Sequence, residues 1–233
     1  MHILKKSILA SAIAASSAVA VAEVSMTVGM VSDYVYRGVS LGDAGAYASI
    51  DYASGGFYAG VWAISDSYGL ADAGTLPSGA YTETVPGTPD PQSFAVTPGT
   101  LPSMGGESSI EYDLYLGYDT EIAGVGVSVG YVAYEYTYGD GAEEEYTLGF
   151  SYGPVSVGYA DGELADGTDY DYTTLSADVG AFSFTYGEDG EDYDWSEIST
   201  GTEVGAVSIG FTVGGNSLGE DYMVLDVSTG IEL

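Results

Sequence analysis

One pattern constrains this chain more than any other: an alternation of period two that recurs along almost its whole length, with a different kind of residue on each phase. Ile110, Tyr112, Leu114, Leu116 and Tyr118 alternate with Ser109, Glu111, Asp113, Tyr115 and Gly117. Val125, Val127, Val129 and Tyr131 alternate with Gly126, Ser128 and Gly130, and Tyr146, Leu148, Phe150 and Tyr152 continue the theme. A period of two places successive side chains on opposite faces of a β-strand. Twelve such segments can be marked out, the first from Val24 and the last ending at Leu233. Phe57–Ile64 is apolar on both phases and leaves its faces unassigned, and Asp194–Val204 is the weakest of the twelve. After Tyr131 the aromatic phase shifts to Tyr134, Tyr136 and Tyr138, which predicts a bulge.

The two phases demand different surroundings. One is bulky and rich in Tyr, Val and Leu; the other is Gly, Ser, Thr and Ala with scattered acids. A soluble barrel turns its large apolar side chains inward. Small residues cannot fill a twelve-stranded interior to protein density. Turning the bulky face to lipid and the small face to water removes the conflict, provided the sheet closes and no backbone group is left unpaired in hydrocarbon. The expectation is therefore an all-β, up-and-down antiparallel transmembrane barrel of about 12 strands. Tyr34, Tyr36, Tyr112, Tyr118, Tyr152 and Tyr186, near segment ends, suit its interfacial girdles.

The connections support an up-and-down order. Ser54-Gly55-Gly56, Ala123-Gly124, Gly153-Pro154, Gly180-Ala181 and Gly205-Ala206 are short. Between them lie Gly42–Gly45, 66–108, Gly139–Glu145, Asp161–Asp171, Gly187–Asp194 and Gly214–Asp221, most of them longer and acidic. Six of the 7 prolines fall in 66–108, so that stretch reads as a long Pro/Gly/Thr-rich loop, either extracellular or folded into the lumen.

Residues 1–22, with Lys5 and Lys6, an apolar run and a small-residue Ala20-Val21-Ala22 end, read as a cleaved signal peptide; 23–233 would be the mature barrel. Removing the leader takes away the only His and both Lys, leaving Arg37 against 35 carboxylates. Nucleic acid is excluded as a partner, because phosphate binding needs cations. Nucleophilic catalysis of the Ser/His/Asp or Cys/His kind is excluded by the missing His and Cys. No enzymatic activity, cofactor or bound metal is implied, since the dense acids of Asp161–Asp171 and Glu188–Asp194 lack the spacing of a calcium loop.

Arg37 lies in a run that reads as one strand from Val24 to Ser40. Val24, Met26, Val28, Met30, Tyr34 and Tyr36 share one phase, broken only by Ser32, and Asp33 and Arg37 share the other. Its far end is expected near the outer rim, exposing Arg37 to trypsin. Two roles for Arg37 stay open: closing a lumenal charge network that fixes barrel shape, or lining a pore. The candidate lumen-facing set is Asp33, Arg37, Glu111, Asp113, Glu145, Asp178 and Asp226.

Val31-Ser-Asp-Tyr-Val-Tyr-Arg-Gly-Val-Ser40, followed by Gly56-Phe-Tyr-Ala-Gly-Val-Trp62 and Asp113-Leu-Tyr-Leu-Gly-Tyr118, resembles the start of the TorF-type porin family. The Pro-rich loop is longer and the charge more acidic than in that family. The resemblance implies an outer-membrane barrel with a channel role. Together these features predict a passive diffusion channel in a bacterial outer membrane, meeting lipid outside and small hydrophilic solutes, cations above all, inside. The second reading is a plugged structural or surface-binding barrel acting through its acidic loops, with divalent cations as bridges.

Overall fold

The computed structural model describes residues 22–66, 80–83, 92–95, 109–137, 143–190 and 193–233. Most of the expected leader lies outside these residues, as does most of loop 66–108. Within that loop only β6 (Ala80–Glu83) and β7 (Gln92–Ala95) are described, paired as a separate two-stranded sheet.

Twelve strands close into one antiparallel barrel. They are β1 (Glu23–Val31), β4 (Gly45–Ser54), β5 (Phe57–Asp66), β8 (Ser109–Ile122), β9 (Val125–Tyr136), β10 (Glu143–Tyr152), β11 (Val155–Glu163), β12 (Asp169–Val179), β13 (Phe182–Asp189), β14 (Tyr193–Val204), β15 (Val207–Asn216) and β16 (Asp221–Glu232). Each pairs with its neighbours in that order, and β1 closes the ring on β16 from Ser25↔Glu232 to Val31↔Asp226. Closure satisfies the ladder all the way round and leaves no edge.

At one end, five two-residue turns join consecutive strands. Gly153-Pro154 shows why they are short: Gly153 has φ 57°, and the ladder continues directly with Tyr152↔Val155. Positive φ at the first turn position, followed by proline's fixed φ, twists the chain in the sense that hairpin strands require. At the other end the acidic connections prove shorter than the sequence suggests. β11 and β12 run through Glu163 and from Asp169, leaving a tight turn closed by Leu164 N–H donating to the Thr168 carbonyl (2.9 Å).

The outside is apolar. Met30, Leu116, Tyr118, Phe150, Tyr152, Leu175, Phe184, Tyr186, Met223 and Leu225 are all exposed there. The inside differs from expectation, because the phase opposite the lipid-facing one carries both Trp residues and many Tyr rings as well as its small residues. On β5 the undecided faces resolve with Tyr58, Gly60, Trp62 and Ile64 inward, and both Trp residues, Trp62 and Trp195, are buried. Cross-strand pairs explain how these rings fit. Tyr47 faces Gly29, Tyr115 faces Gly60, Tyr58 faces Gly117, Tyr170 faces Gly162, Trp195 faces Gly187 and Tyr222 faces Gly214. In each pair the ring lies against the glycine, where a Cβ would come 2.2 to 2.6 Å from ring atoms. The glycine gives up packing of its own so that the ring can lie along the wall, as glycines shielded by neighbouring aromatics do in sheets.

Two local expectations are corrected. The β9 register runs unbroken against both β8 and β10, so there is no bulge; the even positions simply stay inward, and Tyr134 and Tyr136 are lumenal. The weakest segment, Asp194–Val204, is a strand as expected, within β14, which pairs regularly on both sides. The first strand stops at Val31.

Candidate functional site: a hairpin seated inside the barrel

β1 and β4 pair continuously from Glu23↔Ala53 to Val31↔Gly45, so residues 32–44 leave the wall as a loop. That loop is a small hairpin, β2 (Tyr34–Tyr36) and β3 (Val39–Gly42), turning at Arg37-Gly38. Both turn residues have positive φ, 47° and 83°, the geometry of a type I′ turn. The single strand Val24–Ser40 expected from the alternation is therefore two elements. Ser32 breaks the apolar phase at the point where the wall ends: its N–H donates to the Leu225 carbonyl at 2.9 Å and its Oγ accepts from Leu225 N–H at 2.8 Å.

The hairpin points inward. Tyr34 is buried and packs with Val31, Trp62, Ile64, Tyr222 and Val224 in an apolar cluster that also takes Val35 and Leu41. Its hydroxyl donates to Glu111 Oε1 at 2.7 Å. Tyr36 and Tyr134 share a 2.7 Å bond between their hydroxyls. Burial, and for Tyr34 the carboxylate of Glu111 beside it, hold both hairpin hydroxyls well above their ordinary pKa, so both stay neutral. Tyr34 and Tyr36 are thus lumenal anchors rather than girdle residues.

Arg37 makes the tightest contact. Its Nη1 and Nη2 donate to Glu145 Oε2 and Oε1 at 2.7 and 2.8 Å, a bidentate pair with the Glu145 side chain 2 % exposed. The guanidinium lies 4.0 Å from the centre of the Tyr172 ring and 4.7 Å from that of Tyr36. Arg stays protonated in such settings, and a planar fork matched to a carboxylate between aromatic faces is its preferred environment. Tyr170 and Tyr134 hydroxyls also donate to Glu145, at 3.3 and 3.5 Å. On the far side of the ring, Asn216 Nδ2 donates to the Gly38 carbonyl at 2.8 Å, and Gly38 abuts Trp195 so closely that a Cβ would sit 2.3 Å from that side chain. β10 and β15 therefore grip the hairpin tip from nearly opposite walls.

Arg37, Glu111, Asp113 and Glu145 come together here. Asp113 is fully buried, and neither carboxylate oxygen has a hydrogen-bond partner. Its cross-strand neighbours are Trp62 and Tyr134, the residues that hold Tyr34 and Tyr36, so it lies under the hairpin. Asp33 is not on the wall: it caps the hairpin base by accepting from Ser40 Oγ at 2.8 Å. Arg37 is not at the rim, and its side chain is only 10 % exposed. Asp226 sits on the inner face of β16, accepting from the Tyr47 hydroxyl at 2.7 Å. Asp178 lies at the short-turn end, accepting from Ser183 Oγ at 2.6 Å, apart from the other acids.

The alternation did not reveal the tyrosines that serve these acids. Tyr115 donates to Asp51 and Tyr222 to Glu197 (2.8 Å), repeating the Tyr34–Glu111 and Tyr47–Asp226 pattern. A signal was present: Tyr47 and Tyr115 sit on the small, acidic phase, as do Asp51 and Asp113.

No family model matches this chain, and no curated protein matches it significantly. Solved structures do resemble it. One is "KdgM porin in complex with disordered oligogalacturonate", at 7% identity over 91% of this chain and 98% of that one, with a TM-score of 0.44. A second, described as "Unveiling the Mechanism Behind the in-meso Crystallization of Membrane Proteins", aligns at 8% identity over 91% and 84% with a TM-score of 0.50. The outer membrane phospholipase A from Escherichia coli aligns at 11% identity over 92% and 97%, with a TM-score of 0.38. At these identities the likeness bears on the barrel fold alone.

Proposed function

We infer that the protein is an outer-membrane channel for small hydrophilic solutes that favours cations, with the β2–β3 hairpin narrowing the path at its loop end. One observation carries the reading. A closed ring of twelve strands has an apolar exterior, and its interior carries Glu111, Asp113, Glu145, Asp178, Glu197 and Asp226 against Arg37. Hydrocarbon outside and unbalanced carboxylates inside suit a wall between lipid and a polar path. Acids along a confined path raise the local concentration of cations. The resemblance of 31–62 to the TorF-type porins points the same way, and a leader at 1–22 fits export.

The test is the reversal potential across a salt gradient in planar bilayers, at low and at high ionic strength. Cation preference is expected at low salt. Because screening reaches about 10 Å at 0.1 M and about 3 Å at 1 M, the part due to distant loop charge fades first, and wall acids keep a remainder. Anion preference at low salt would overturn the reading. A specific observation favours the second reading, a plugged barrel: the apolar cluster around Tyr34, Val35 and Leu41 fills the interior beside the hairpin. Absence of conductance at any salt would decide for it.

A further inference from the structure

We propose that the pocket gripping Arg37 is a binding site for guanidinium-bearing solutes, and that Arg37 occupies it as a tethered ligand. This deepens the channel reading by naming a class of solute that competes with the hairpin.

The wall half of the contact is complete without the hairpin. Glu145 comes from β10, with the Tyr134 and Tyr170 hydroxyls directed at it, and the Tyr172 face comes from β12. Tyr172 is in turn set edge-on against Trp195 at 6.0 Å between ring centres. A carboxylate that accepts two parallel N–H bonds beside an aromatic face is the recognition chemistry of a guanidinium, not of a small inorganic ion.

The ligand half is held under strain. Arg37 occupies the first central position of the turn with φ 47°, where Asn, Asp or Gly is the ordinary choice. A side chain kept in that conformation points to a role for its head group rather than for the turn.

The site is also short of positive charge. Asp113 lies buried beneath the hairpin with neither oxygen hydrogen-bonded, and Glu111, which accepts from the Tyr34 hydroxyl, stands two residues from it on the same inward phase. One guanidinium does not offset these acids.

The hairpin can leave without opening the barrel, because the β1–β4 ladder closes beneath it at Val31↔Gly45. A competing guanidinium would take the Glu145–Tyr172 position, and the hairpin would then keep its bonds to Asn216, Tyr134 and Glu111 and its packing, but not its one charged contact.

Trp62→Phe leaves Trp195 as the sole tryptophan and a reporter beside Tyr172. In that background, purified Arg37→Ala barrel in detergent is titrated with ethylguanidinium at constant ionic strength, with sodium as the comparison. A saturable change in Trp195 fluorescence is expected for ethylguanidinium and none for sodium. Adding Tyr172→Leu should weaken binding roughly tenfold, the size of a cation–π contact out of water, and Glu145→Gln should abolish it. Heat-shifted mobility in dodecyl sulfate confirms that each variant is folded. In bilayers, ethylguanidinium should lengthen the open time of the wild type and leave Arg37→Ala unaffected. No saturable binding by folded Arg37→Ala, or an equal response to sodium, overturns the proposal. Binding is read without conduction, so a barrel that binds but never conducts sinks the channel reading and leaves this one standing.

Discussion

The loop end and the short-turn end of the barrel interior are built on the same alternation but filled in opposite ways. At the loop end, Tyr34, Trp62, Ile64, Tyr134, Glu145, Trp195 and Tyr222 are buried around the hairpin. At the turn end the inward positions include Gly126, Ser151, Ser156, Ser176, Ser183, Thr185, Ser199 and Gly210, and Asp178 accepts from Ser183. A period of two decides which side of the wall a residue takes; side-chain volume decides whether the lumen there is packed or left polar. The hairpin exists where the wall supplies large rings to receive it.

Breaking the ion pair should disturb the contrast most. Glu145→Ala leaves Arg37 buried without its partner, a loss of about 3–5 kcal/mol. The three bonds that still tie the hairpin to the wall, at Tyr34, Tyr36 and Gly38, supply about 1 kcal/mol each, a sum comparable to that loss. Folded wild-type barrel should resist trypsin, and Glu145→Ala should be cut after Arg37, the only tryptic site beyond residue 6. Equal resistance of both proteins would mean that the hairpin is held by packing alone.

Glycine substitutions sharpen the same contrast at smaller size. At the loop end, a Cβ at Gly187 meets Trp195 at 2.2 Å and forces the ring off the wall. At the turn end, a Cβ at Gly210 meets its nearest neighbour, Asp226, at 3.5 Å, an ordinary contact. Gly187→Ala should lower stability to urea by about 1–3 kcal/mol, the usual cost of overpacking, and Gly210→Ala should change it far less. Equal losses would erase the distinction between packed and polar ends.

The smallest effect belongs to the outer surface. Near the loops, Glu144 stands opposite Glu163, Glu163 opposite Asp169, and Asp161 opposite Asp171. Like charges directly across a ladder repel, and salt screens them. Raising salt should therefore stabilise the barrel slightly, by a few tenths of a kcal/mol per pair. Asp161→Asn should remove part of that dependence, and an unchanged salt slope would show that the pair costs nothing.

Much of this was legible in the sequence. The alternation located every wall strand, because lipid on one side enforces the pattern wherever a strand crosses it. It failed at Tyr34 and Tyr36, whose spacing continues that of Met30 although they sit in a hairpin facing the opposite solvent. Period alone does not show where a strand turns inward; Ser32 and Gly38 were the local marks. The acids were legible as an inward-facing set, but Asp33 was misplaced by the same missed turn. The tyrosine donors were hidden because a ring lying over a glycine needs two strands to be recognised, and the sequence presents one at a time.

The central claim is that one phase of the alternation meets lipid and the other faces the lumen, and β10 offers the most direct measurement of it. The chain has no cysteine, so single-cysteine variants report without background. Cysteines placed in turn at Tyr146, Leu148 and Phe150, and at Thr147, Gly149 and Ser151, would be probed in membranes with a charged thiol reagent and with a lipid-soluble one. The charged reagent should label 147, 149 and 151, and the lipid-soluble reagent 146, 148 and 150. The reverse pattern, or labelling without alternation, would contradict the account.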